Sequence, residues 1–123
     1  MQLVSFDFDF TLSEDHIQEY CKKLMTSGVE VWITTTRPAE HHLPPGHDHN
    51  KPLWTIVDRL VFPRERIIFT NGEMKYHFIR EMNFIWHIDD QQAEIELINL
   101  NTDIIGINHK QTDHWWKICD KLL

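Results

Sequence analysis

The chain has no basic leader followed by a long apolar stretch, and none of its apolar runs approaches the roughly 18 residues that a membrane span needs. Secretion and membrane insertion are therefore not expected, and the reading is a cytoplasmic protein. Positive charge is scarce as well: 12 Lys and Arg face 19 Asp and Glu, for a formal net charge of −7. That balance argues against a broad cationic surface for nucleic acid or anionic lipid. It leaves a nucleotide, a single phosphate or a phosphorylated strand end as anions that a local site could take. Cysteine is confined to Cys21 and Cys119, both in helix-like segments and neither with a CxxC partner, so both are expected to be reduced, half-buried apolar residues. No internal repeat is present, and the one biased tract is a loop rich in His and Pro.

What is present is ordinary for a folded domain. The 123 residues suffice for one apolar core and not for a second of usual size. Hydrophobic residues at 41% and charged residues at 25%, with Trp32, Trp54, Trp86, Trp115 and Trp116 among the aromatics, argue against global disorder.

Apolar runs of strand and helix character alternate along the chain. Leu3 to Phe6 reads as a first strand, and Asp15 to Thr26, with Ile17, Cys21, Leu24 and Met25 at helical spacing, as a helix stopped before Gly28. Val29 to Thr35 is a second strand, followed by the His/Pro loop from Pro38 to about Asn50 and a helix from Leu53 to Leu60. Then come a strand at Ile67 to Thr70, a helix at Glu73 to Met82, a strand at Phe84 to Ile88 and a helix at Ala93 to Leu100. A strand at Ile104 to Ile107 and a helix at Thr112 to Leu122 close the chain. This order predicts a three-layer α/β/α sandwich around a five-stranded parallel sheet, because right-handed crossovers put helices on both faces. Ligands of such open sheets sit beyond the carboxyl ends of the strands, where strand order reverses.

Those strand ends carry the chemistry. Strand one runs into Asp7-Phe8-Asp9-Phe10-Thr11, strand two into Thr34-Thr35-Thr36-Arg37, and strand four into Asp89-Asp90. Four carboxylates at one edge repel one another by several kcal/mol unless a cation lies between them or protons are taken up. An all-oxygen donor set favours Mg²⁺ over zinc. Alternation past Phe6 points Asp7 and Asp9 the same way, roughly 6–7 Å apart, a spacing that admits a phosphate. One carboxylate can then attack phosphorus while the other serves the leaving oxygen as general acid and later activates water. Thr70-Asn71-Gly72-Glu73 reads as a capping box that opens the third helix, which places Lys75 near a helix N-terminus, where its charge calls for an anion. Thr35, or Thr34 if the register differs by one, can donate a hydroxyl to a phosphate oxygen.

Asp7-Phe8-Asp9-Phe10-Thr11, a strand ending in Thr35, Lys75 at a helix start and the Asp89-Asp90 pair resemble the four motifs of the haloacid dehalogenase-like hydrolase superfamily, over about residues 2 to 110. The resemblance implies a Rossmann-like sheet in the order 5-4-1-2-3, an aspartyl-phosphate on Asp7, acid/base work by Asp9, and phosphate binding by Thr35 and Lys75. It also implies Mg²⁺ on the side chain of Asp7, the backbone carbonyl of Asp9 and one acid of the last motif, with Asp90 the direct ligand and Asp89 either behind it or bonded to Lys75. Phe10 stands where the family often has Gly. A single helix nearly fills the span from Asp7 to Thr35, so no cap domain fits there, and this is the pattern of a capless phosphatase.

Further candidates surround that core. Thr11, Thr34, Thr36 and Arg37 are candidate substrate-binding residues, with Arg37 suited either to bidentate pairing with a substrate anion or to a structural salt bridge. The loop from Pro38 to Asn50 carries His41, His42, His47 and His49 around Pro44-Pro45-Gly46 and could act as a short lid, or bind a second metal through His47 and His49. Trp115 and Trp116 cannot both face the core, so one is expected to be partly exposed, on a packing helix or on a surface through which copies of the chain associate. A phosphorylated signalling receiver would need an acceptor Asp after strand three, where Thr70-Asn71 stands instead. The remaining rival is a non-catalytic module that keeps the fold and binds phosphate or a protein partner.

Overall fold

The computed structural model describes residues 1–40, 44 and 49–123. Its sheet has five strands, all parallel, in the order β3-β2-β1-β4-β5, which is the expected order read from the other edge. The strands are β1 (Leu3–Phe6), β2 (Glu30–Thr35), β3 (Ile67–Phe69), β4 (Phe84–Asp89) and β5 (Ile105–Asn108). The helices between and after them are α1 (Asp15–Thr26), α2 (Lys51–Arg59), α3 (Tyr76–Ile79), α4 (Gln92–Asn101) and α5 (Trp115–Leu122). Among the described residues no helix is long and apolar enough to cross a membrane.

Both faces of the sheet are covered, which is why its strands are apolar almost throughout. On one face Val4, Phe6, Val31, Ile33, Trp86 and Ile88 pack with Ile17 and Cys21 of α1, Leu53 and Val57 of α2, and Trp115 and Cys119 of α5. On the other, Phe84, Ile98, Ile104 and Ile79 form a smaller cluster against Leu3, Trp32 and Ile68. Helix α1 ends at Ser27, and Gly28 follows with φ of +87°, so that the Val29 N–H returns to the Leu24 carbonyl at 3.1 Å; only glycine takes that conformation without strain. Cys21 and Cys119 are free thiols at 0% exposure, more deeply buried than expected. Of the terminal Trp pair, Trp115 is buried and Trp116 is 41% exposed.

Two helices differ from expectation. The segment read as one helix from Glu73 to Met82 is helical only over Tyr76–Ile79. Asn71 and Gly72 both take left-handed backbone (φ 52° and 82°), and the resulting turn delays helical geometry until Lys75. There is no capping box either, since the Thr70 hydroxyl donates to the Glu73 carbonyl at 2.7 Å instead of accepting from an N–H. The closing helix starts at Trp115 rather than Thr112, because His114 is left-handed at φ 54°.

Candidate active site

Strands β1, β2 and β4 end together, and a cavity of about 150 Å³ opens beyond them, lined by Asp7, Asp9, Thr36, Lys75, Asp90 and Glu94, with Phe10 and Gln91 at its margin. A larger cavity, of about 610 Å³, lies against α1 and α5 and is walled mainly by Tyr20, Trp115 and Trp116. It gathers no set of carboxylates, so the chemistry belongs to the smaller one.

After β1 the chain leaves extended geometry and coils tightly over Phe8–Leu12, with Phe10 left-handed at φ 58°. Phe8 is buried in the core while Asp7 and Asp9 both reach the cavity, so the alternation expected of a straight strand survives in a tight loop. Thr11 is buried under that loop; its hydroxyl lies 3.3 Å from Asp7 Oδ2 and 3.0 Å from His109 Nε2, and Nε2 is also 3.1 Å from the Phe10 carbonyl. Thr11 therefore supports Asp7 from behind and does not line the cavity.

Lys75 sits at the centre. Its ammonium, 1% exposed, donates to Asp7 Oδ1 at 2.7 Å and to Asp89 Oδ2 at 2.5 Å, and its backbone N–H donates to Glu94 Oε1 at 3.1 Å. These anions, rather than a helix N-terminus, are what hold the charge. Burial alone would lower the Lys75 pKa, but Asp7 and Asp89 more than offset this and hold it above its usual value. Burial raises Asp7 well above the carboxylate range; Lys75 works against that and the charge of Asp89 adds to it.

Asp89 is fully buried and spends every lone pair within the protein. Oδ2 accepts from Lys75 and, at 2.8 Å, from His87 Nε2, while Oδ1 accepts the backbone N–H groups of Asp90 (2.9 Å) and Gln91 (3.1 Å). Burial would raise its pKa, but the hydrogen bonds and charge on Oδ2 outweigh this and keep it ionised below the ordinary range. Asp90 is half-buried and opens on the cavity, so it is the acid of the pair with an oxygen to offer.

Behind Asp89 runs a polar chain that sequence reading missed. Burial keeps His87 neutral; because a carboxylate only accepts, its hydrogen is on Nε2. Nδ1 then accepts from Ser5 Oγ at 2.9 Å, and Ser5 Oγ accepts from Thr34 Oγ1 at 2.8 Å. Thr34 thus faces this chain, away from the cavity. Thr35 points to the opposite face and accepts the Arg37 N–H on its hydroxyl at 3.2 Å; only Thr36 of the three lines the cavity. A signal for the chain was present: Ser5 lies two residues before Asp7 and His87 two before Asp89, so period two puts all four on one face.

Asp9 is engaged by Arg37. Arg37 Nε donates to Asp9 Oδ2 at 3.0 Å and Nη2 to Oδ1 at 2.7 Å, a bidentate pair, while Nη1 donates to the His49 carbonyl at 2.6 Å. The guanidinium also lies over the Phe8 ring, 5.3 Å from its centroid. Most of the expected lid, including His41, His42 and His47, lies outside the described residues.

Oxygens of Asp7, Asp89 and Asp90 approach within 4.8 Å of one another. With Asp89 committed to its four donors, Asp7 and Asp90 are the side chains that fit a hard divalent cation, and an all-oxygen set suits Mg²⁺. No protein-family model matches this chain, and neither the curated proteins nor the solved structures show a significant match to it.

Proposed function

We propose that the protein is a Mg²⁺-dependent phosphoric monoester hydrolase of the haloacid dehalogenase-like type without a cap domain. The observation that carries this reading is the placement of Asp7 and Asp9 on one cavity beyond the strand ends, with Lys75 bonded to the first and not to the second. A carboxylate held by an ammonium from behind is oriented to attack, and one facing the opening is placed for proton transfer.

In this scheme an Asp7 oxygen attacks phosphorus, the ester P–O bond breaks, and Asp9 gives its proton to the departing oxygen. Water then attacks the phosphorus of the acyl-phosphate as Asp9 takes the proton, releasing phosphate and restoring Asp7. Lys75 keeps Asp7 aimed and offsets charge gathering on the phosphoryl oxygens, and the Thr36 hydroxyl at the cavity wall is available to a third oxygen. Asp7, Asp90 and the Asp9 carbonyl would hold Mg²⁺, which supplies charge neutralisation to phosphate and nucleophile when bound. One observation favours the rival reading of a non-catalytic phosphate-binding module: both Asp9 oxygens are occupied by Arg37.

Turnover of an aryl phosphate separates the two. The hydrolase reading expects phosphate release with Mg²⁺, none in excess EDTA and none from Asp7→Asn, whose amide cannot form the acyl-phosphate. Release that continues in Asp7→Asn would remove the nucleophile from the scheme, and phosphate binding without any release would support the module.

A further inference from the structure

Resting on the phosphatase reading, we infer that Arg37 is a substrate-operated clamp on Asp9, and that the substrates it favours are phosphate esters carrying a second oxyanion close to the scissile one.

In the structure Asp9 cannot present an oxygen to a leaving group. One oxygen accepts from Arg37 Nη2 and the other from Nε, at 2.7 and 3.0 Å, in the fork-to-carboxylate geometry that guanidinium and carboxylate favour. The pair is braced by the His49 carbonyl on Nη1 and by the Phe8 ring beneath. Turnover requires this pair to open, and opening it onto water would strand a guanidinium beside the apolar Phe8. A second anion on the substrate removes that obstacle by taking over the same fork. Carboxylate and phosphate both present the two acceptor oxygens required.

The cavity's other cation is not exchangeable in this way. Lys75 is fully buried and committed to Asp7 and Asp89. The Arg37 side chain retains 21% exposure and the Asp9 side chain 42%, so their pair lies where a ligand can reach it. Distance limits the substrate. A working acid lies about 2.6–3.2 Å from the leaving oxygen, and Arg37 reaches Asp9 at 2.7 to 3.0 Å, so the guanidinium stands within roughly 6 Å of that oxygen. A spacer of roughly two or three carbons between the two anions spans this gap, whereas a distant second charge does not.

Ethyl phosphate, phosphoglycolate and ethane-1,2-diol bisphosphate share a two-carbon frame and differ in the second anion: none, a carboxylate, a phosphate. Phosphate release from each is measured with Mg²⁺ for wild type, Arg37→Ala and Arg37→Lys, with circular dichroism as the check on folding. Wild type is expected to favour one or both double anions over ethyl phosphate by roughly 10- to 100-fold in kcat/KM, the scale of a charge-assisted pair. The larger of the two preferences identifies the anion. Arg37→Ala should erase the preference and raise kcat on ethyl phosphate, because Asp9 is no longer held. Arg37→Lys, with the charge but not the fork, should recover part of the preference. Equal use of all three esters by wild type, or a preference that survives in Arg37→Ala, overturns the clamp and leaves the phosphatase reading intact. A fall in kcat on ethyl phosphate in folded Arg37→Ala also overturns it, making Arg37 a binder of the scissile phosphate. No release from any ester by wild type overturns both.

Discussion

The two halves of the candidate site are built in opposite ways. The rear half, Asp7, Lys75, Asp89 and His87, is buried at 5% exposure or less and joined by hydrogen bonds of 2.5 to 2.8 Å. The front half, Asp9 and Arg37, is one ion pair on a loop, open to solvent on both sides. A nucleophile must be aimed before substrate arrives, whereas an acid must move a proton and gains from being able to shift. Rigid geometry and exchangeable geometry thus occupy the two sides of one cavity, a division of labour that substitutions can test.

The largest difference should come from Lys75→Met. It leaves Asp7 and Asp89 buried without their shared cation, a defect that typically costs about 3–5 kcal/mol, and urea melts should show it as a large drop in midpoint. A loss under about 1 kcal/mol would mean that the rear is as yielding as the front. His87→Phe should come next, at about 1–3 kcal/mol, since it removes a donor to Asp89 and leaves the Ser5 hydroxyl unanswered in the interior. If His87 positions the site, kcat should fall in this variant while KM stays near wild type, and His87→Gln should recover part of the loss.

A pH dependence follows from the same burial. The pKa values of His87 and His109 are both lowered in the fold, by burial first, so as pH falls below about 6.5 the unfolded chain takes up protons that the folded one refuses. Their contribution is complete above that pH and fades below it. Melting temperature in EDTA should therefore decline from pH 7 to pH 5, and decline less in His87→Phe. A slope unchanged by that substitution would exclude His87 as a source. The smallest effect belongs to the front: Asp9→Ala or Arg37→Ala should change stability by less than about 1 kcal/mol, the range of solvent-screened pairs. A larger loss would show that the pair is a structural brace.

The sheet was legible because its strands are short apolar runs whose ends are marked by acids, and because parallel strands covered on both faces leave few polar positions to misread. The identity of the cavity residues Asp7, Asp9, Lys75 and Asp90 followed from the same ends. The helix at Lys75 was misjudged because Thr70 and Glu73 satisfy a capping pattern, while the left-handed pair Asn71-Gly72 makes a turn from the same letters. Ser5 and His87 were passed over as strand residues, since a lone polar side chain in an apolar run gives no sign of its partner across the sheet. The Arg37–Asp9 pair joins two strand ends, and nothing local in either segment distinguishes a guanidinium held by the protein from one that waits for a ligand.

The polar chain from Thr34 through Ser5 and His87 to Asp89 has a direction: each hydroxyl or ring donates toward the carboxylate and accepts from the member before it. Reversing one link would set two hydrogens or two lone pairs against each other, and deleting one would leave its neighbours unanswered in the interior. These positions are therefore not free to drift singly. Among descendants of this sequence Thr34, Ser5 and His87 should be retained together or exchanged together for apolar residues, with Asp89 then in need of a new donor. A redesign that strips one of them should be rescued only when the others are stripped as well.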